Sequence, residues 1–133
     1  MLIDTRTIND LKDGIIPNSL CIAFDGGFAN WVGTLLDPAD KLIIFGNDEQ
    51  AEQSIKRLLR IGYINVLGHA NFPISEWKQK GYEVVTPAFY DEAAQPGMTI
   101  LDVRKPGEWK SEGVAEGAVA LTLEDVFKHV QIL

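Results

Sequence analysis

The chain has 133 residues, 46% of them hydrophobic and 23% charged, with a formal net charge of −7. That size supports one domain, or one and a fraction, around its own apolar core. The negative balance argues against binding to nucleic acid or an anionic membrane. The single cysteine allows no internal disulfide and suits a reducing, cytoplasmic compartment. No apolar run approaches the roughly 20 residues that cross a bilayer, and the start, Met-Leu-Ile-Asp-Thr-Arg, has no signal-peptide layout.

Taken in chain order, short apolar runs alternate with amphipathic stretches. Leu2-Ile3, Leu20 to Ala23, Leu42 to Phe45 and Asn65 to Leu67 have the composition of buried strands, flanked by turn residues. Phe28, Trp31, Val32, Leu35 and Leu36 keep helical spacing, and Asp37-Pro38 ends that helix. Ala51, Ile55, Leu58 and Leu59 form a second stripe, with Gly62 as its C′ residue. Ser75 to Lys80 is a short helix closed by Gly81. This alternation predicts an α/β fold, a parallel sheet with helices on its faces.

Beyond residue 83, Val84-Val85 has the makings of a short strand and Phe89 to Ala94 of a short helix. Gln95 to Met98 reads as a turn before a strand over Thr99 to Val103. Thr122-Leu-Glu-Asp125 has capping-box layout ahead of a helix whose apolar face is Leu123, Val126, Phe127 and Val130.

The chain also repeats itself. Ile3-Asp-Thr-Arg6 returns as Leu101-Asp-Val-Arg104, and the Gly14 to Ile22 segment returns as Gly113 to Leu121 with one residue inserted before it. A period near 100 residues is a domain, since solenoid units run to about 20–50. The expected organisation is a first domain over 1–86, lacking the edge strand that would precede its Asp-x-Arg strand. Residues 87–133 then begin a second, truncated copy, with Val84-Val85 as the edge strand of that copy. Edges left unpaired in this way favour a homo-oligomer.

These residues resemble the rhodanese family. The resemblance rests on Ile3-Asp-Thr-Arg6, Gly14-Ile-Ile-Pro-Asn-Ser19, Leu42-Ile-Ile-Phe45, Gly62 to Gly68 and Glu76-Trp77. More narrowly, Phe28 to Leu36 and Gly62-Tyr63 are similar to rhodanese modules that follow a metallo-β-lactamase-fold domain, as in relatives of glyoxalase II and persulfide dioxygenases. The resemblance implies a rhodanese-type sheet with helices on both faces. It further implies a larger sulfur-handling hydrolase or dioxygenase whose metallo-β-lactamase-fold domain is the partner of this one.

A rhodanese carries sulfur as a cysteine persulfide, on a loop whose backbone N–H groups hold the thiolate at a helix start. Here the loop reads Gly46-Asn47-Asp48-Glu49-Gln50, with Gly46 at the nucleophile's position. Glycine forms no persulfide, and Asp48 and Glu49 repel an anionic donor while suiting the start of the following helix. The expectation is a degenerate active-site loop, a non-catalytic module and no cofactor. The alternative is a sulfurtransferase whose active cysteine lies in the remainder of the second copy, and a third reading has the Gly46 loop hold a small ligand non-covalently.

The other candidates carry less. Cys21 in an apolar strand reads as a small buried hydrophobe. His69, His129 and Cys21 lack the spacing of a metal site, so no metal is expected. Trp31, Trp77 and Trp109 read as core or core-edge residues, and Asp25-Gly-Gly27 as a turn without the P-loop lysine. Asp4 with Arg6 and Asp102 with Arg104, each at a strand end, read as structural ion pairs.

Overall fold

Apolar runs of three to five residues give strands too short to alternate cleanly, and they become stable only when buried from both sides. A computed structural model describes residues 1–87 and 96–130, with side chains to residue 128. The chain divides into two units, Met1–Pro87 and Ala88–Leu133.

In the first unit β1 (Leu2–Asp4), α1 (Ile8–Leu11), β2 (Ser19–Cys21), α2 (Phe28–Leu35), β3 (Leu42–Phe45), α3 (Asp48–Arg60), β4 (Val66–Ala70) and α4 (Ile74–Gln79) follow one another. The four strands are parallel in the order β2-β1-β3-β4. Ile3, Leu42 and Ile44 face Phe28 and Val32 of α2 and Leu58 of α3, all fully buried. Phe45 points to the other face, against Ile16 and Ile74 of α4, with Phe72 and Trp77 packed behind. Helices therefore cover both faces of a parallel α/β sheet.

Local chemistry sets the helix ends. The Asn47 side chain accepts the Gln50 N–H at 2.9 Å, and the Gln50 side chain accepts the Asn47 N–H in return, which caps α3. Arg57 and Arg60 sit in its last turn, where the helix dipole favours cations. Gly62 follows with φ +93°, as a left-handed C′ residue requires. The Tyr63 hydroxyl donates to the carbonyls of Val32 (3.2 Å) and Leu36 (2.6 Å), which lie at the open end of α2. The two segments behind the narrower resemblance, around Phe28–Leu36 and at Gly62-Tyr63, are thus bonded to each other.

The structure departs from the sequence reading at several elements. Ile8–Leu11 and Pro106–Glu112, outside the elements read from the sequence, form short helices. Strand β4 continues past Leu67 to Ala70. Val85 pairs antiparallel with Ile15 of the first unit (Ile15 N–H to Val85 O, 2.7 Å; Val85 N–H to Ile15 O, 2.9 Å), so it serves the first unit and not the second copy. The helix expected over Phe89 to Ala94 lies outside the described residues.

The second unit holds β5 (Leu101–Asp102), α5 (Pro106–Glu112), β6 (Val119–Ala120) and α6 (Leu123–Val130). Its two strands are parallel.

Candidate functional site

The C-terminal ends of β1 and β3 lie side by side, because the register aligns Asp4 with Phe45. The Asp4-Thr5-Arg6 segment therefore sits beside Phe45 and Gly46. Asp4 is fully buried, and a buried carboxylate needs a partner. Arg6 provides it through a fork: Nε to Asp4 Oδ1 at 2.9 Å and Nη2 to Asp4 Oδ2 at 2.6 Å. The same Nη2 donates to the Gly14 carbonyl at 2.8 Å, and the guanidinium lies 4.9 Å from the centroid of the Phe45 ring. Arg6 is thus spent on its own strand end, its loop and its core.

Thr5 is the residue that sequence reasoning missed. It is fully buried, its N–H donates to the Phe45 carbonyl at 2.8 Å, and its hydroxyl donates to the same oxygen at 2.9 Å. A Cβ at Gly46 would run into the Thr5 Oγ1 and would stand 3.2 Å from Gln50 Oε1. The space a cysteine would occupy is filled. A small polar residue between an Asp and an Arg at a strand end is the only sequence signal of this, and it is a weak one.

Of the five candidate loop residues only Gly46 and Asn47 lie outside helix; Asp48, Glu49 and Gln50 form the first turn of α3. The capping box occupies the N–H groups of Asn47 and Gln50. Asp48 accepts Asn71 Nδ2 at 3.0 Å and pairs with His69 Nε2 at 3.4 Å, at the rim of the junction. The helix start is already supplied with carboxylates, so it attracts no further anion.

In front of this junction lies an open cleft of about 610 Å³ lined by Arg6, Asp10, Asp13, Asn47, Gln50, Ile74, Ser75 and Lys78 among others. Two cations stand against two carboxylates, so the cleft presents no positive field to a thiosulfate dianion. Lys78 donates to the Asp13 carbonyl at 3.0 Å. The Asp10 carboxyl is held below the ordinary carboxylate range by its bond from the Thr7 hydroxyl.

Cys21 stands on β2, half-buried, with Ser19 Oγ at 3.9 Å. Burial pushes its thiol up, and the Asp4 charge adds to the effect. This is the reverse of what activates a cysteine. Trp31 packs against the α2–α3 core and Trp77 stacks on Phe72 at 5.2 Å. Asp25 Oδ1 accepts the Gly27 N–H at 2.8 Å in the turn before α2. Among the described residues no group of three or more His, Cys, Asp or Glu is placed to hold a metal ion. The His129 side chain lies outside the description.

The second unit rebuilds the anchor. Arg104 Nε donates to Asp102 Oδ1 at 3.0 Å, and Nη2 to Asp102 Oδ2 at 2.8 Å and to the Gly113 carbonyl at 2.7 Å. Glu112 adds an ion pair at 2.8 Å. The Arg104 fork holds the Asp102 carboxyl far below the usual carboxylate range.

A parallel α/β module with an Asp-x-Arg anchor beside a strand-to-helix junction is the class that fold and site define together. Residues 1–80 match the rhodanese-like domain family, and the chain belongs to it. Among solved structures, the Rhodanese_3-like domain of the Alr3790 protein from Anabaena sp. is similar at 18% identity and a TM-score of 0.58, over 68% of this chain and 95% of that one. A rhodanese-related protein from Thermoplasma volcanium is 23% identical with a TM-score of 0.51, over 65% and 84% of the two chains. The protein hp1203 from Helicobacter pylori is 15% identical with a TM-score of 0.51, over 64% and 76%. These likenesses concern the fold. A comparison with curated proteins returns no match.

Proposed function

We propose that this chain is a rhodanese-like module that carries no sulfur itself and serves in packing or ligand binding within a larger sulfur-handling protein. The observation that carries the reading is the junction at Gly46: no side chain is present to accept a sulfane sulfur, and the Thr5 hydroxyl stands where a Cβ would go. Cys21 offers no substitute, because its environment favours the thiol over the thiolate. The larger protein is a hydrolase or dioxygenase with a metallo-β-lactamase-fold domain, a reading supported by the Phe28 to Leu36 and Gly62-Tyr63 segments. The single cysteine supports a cytoplasmic setting. No helix among the described residues is long and apolar enough to cross a membrane.

A second reading rests on the rebuilt anchor at Asp102, Arg104 and Gly113. It treats residues 87–133 as the start of a second rhodanese-like copy, whose catalytic cysteine would follow on a strand beyond α6.

The test is sulfur transfer from thiosulfate to cyanide by the purified chain. Turnover should not exceed that of a heat-treated sample, and Cys21→Ser should change nothing. Clear turnover that Cys21→Ser abolishes overturns the proposal.

A further inference from the structure

We propose that a small pocket beside α4 binds a free aromatic amino acid, with the ring on Tyr82 and the charged head between Glu76 and Lys80. The pocket is open, holds about 200 Å³ and is lined by Phe72, Glu76, Trp77, Lys80 and Tyr82. It shares no residue with the cleft before Gly46, which takes Ile74, Ser75 and Lys78 from the same helix. The two sets of positions lie on different faces of α4, so the pocket is separate from the Gly46 junction.

Its floor is a fixed aromatic stack. Phe72 and Trp77 lie parallel within 6°, with ring centres 5.2 Å apart, and Tyr82 follows at 4.5 Å from Trp77. Phe72 also meets the buried Phe45 at 4.9 Å, so the stack is rooted in the core. The Trp77 Nε1–H is spent on the Glu83 carbonyl at 3.1 Å, which holds the indole in place. Gly81, at φ +79°, turns the chain after α4, and the Tyr82 N–H returns to the Trp77 carbonyl at 3.2 Å. Tyr82 is the outermost ring and is 54% exposed. A ring that is held but uncovered is a preformed surface for one more ring, at a spacing of about 4.5–7 Å.

The rim carries two opposite charges. Glu76 and Lys80 have the spacing and order that favour an ion pair along a helix. Glu52 and Lys56, at the same spacing in α3, close such a pair at 2.6 Å. Glu76 and Lys80 do not: among the described residues neither side chain has an ion pair or hydrogen bond, and both line the pocket. These charges select the ligand. A cation alone meets Lys80, and an anion alone meets Glu76. A zwitterion finds a partner at each end, its ammonium on Glu76 and its carboxylate on Lys80. The volume is below the roughly 300–1,000 Å³ of sites for drug-sized molecules, which leaves room for one ring and a short head. A free aromatic amino acid has that ring and both charges, whereas a chain terminus carries only one of them.

The experiment titrates L-phenylalanine into the full chain and follows the Trp77 indole N–H by NMR, with Trp77→Phe to assign the signal. The shift should saturate, and glycine, which lacks the ring, should produce none. Glu76→Gln and Lys80→Gln should each weaken binding by about fivefold or more. Both residues are exposed, so the variants should fold, and their unfolding midpoints check this. N-acetylphenylalanine has no ammonium, so it should bind more weakly and be indifferent to Glu76→Gln. A shift that stays linear to the solubility limit overturns the proposal. Binding of N-acetylphenylalanine amide as tight as that of phenylalanine also overturns it, since the pocket would then be an apolar groove for peptide side chains. Equal affinity in the parent chain and both charge variants does the same.

Discussion

Gly46 and Thr5 behave as one unit, because the hydroxyl of one occupies the space a side chain on the other would need. Gly46→Cys should therefore cost about 1–3 kcal/mol, the range for overpacking a filled site. The cost should shrink in a Thr5→Ala background, where the obstructing oxygen is gone. Denaturant unfolding of the two singles and the double measures the coupling; equal cost in both backgrounds would mean the loop gives way elsewhere. Ser54 presents the opposite case. Its hydroxyl is buried in α3 without a hydrogen-bond partner among the described residues, so Ser54→Ala should leave stability unchanged or raise it by up to about 1 kcal/mol. A drop in the unfolding midpoint would reveal a partner for that hydroxyl. The sequence displays Gly46, because the apolar run of β3 ends just before it. It hides Thr5, whose role depends on an adjacent strand some forty positions away.

At the scale of the element, the capping boxes explain what was and was not legible. The long helix α3 shows an apolar stripe and acidic first-turn residues, and its Asn47 cap follows from them. Asn47→Ala should cost about 1 kcal/mol, as loss of an N-cap does, read as a lowered unfolding midpoint. Helices α1 and α5 span only four and seven residues, too few for a stripe, and the Thr7 and Asp10 pair is a signal that periodicity does not detect. The Asp102–Arg104 pair gives a pH prediction. The Asp102 carboxyl titrates lower in the folded state than the unfolded value near 3.9. Its stabilisation is therefore full above that value and is lost as the pH falls through the folded-state pKa. Amide exchange at Leu121, corrected for its intrinsic rate, should accelerate as the pH drops below about 4. Arg104→Leu should flatten that dependence. An identical profile in both proteins would show that the pair does not govern the second unit.

On the scale of the whole chain, the parallel sheet is legible because strand and helix patterns alternate and the connections are too long for hairpins. The anchor is legible twice because both units use an Asp, an Arg two residues on, and a Gly whose carbonyl that Arg reaches, eight residues past the Arg in one unit and nine in the other. What the sequence does not reveal is which contacts close the first unit. The Ile15–Val85 bridge and the Trp77 Nε1 bond to the Glu83 carbonyl at 3.1 Å add the last residues to it. A fragment of residues 1–87 should unfold cooperatively, and a fragment ending at residue 82 should unfold at clearly lower denaturant. Matching midpoints would mean the closing segment is dispensable.

That closing segment has a mechanical consequence. Gly14, at φ +130°, lets the backbone lie so close to Val84 that a Cβ would collide with its Cγ1, and the two bonds between Ile15 and Val85 sit immediately beside this contact. A pull arriving from beyond Pro87 loads that clasp first. β1 and β3 bear the tension only after it has opened.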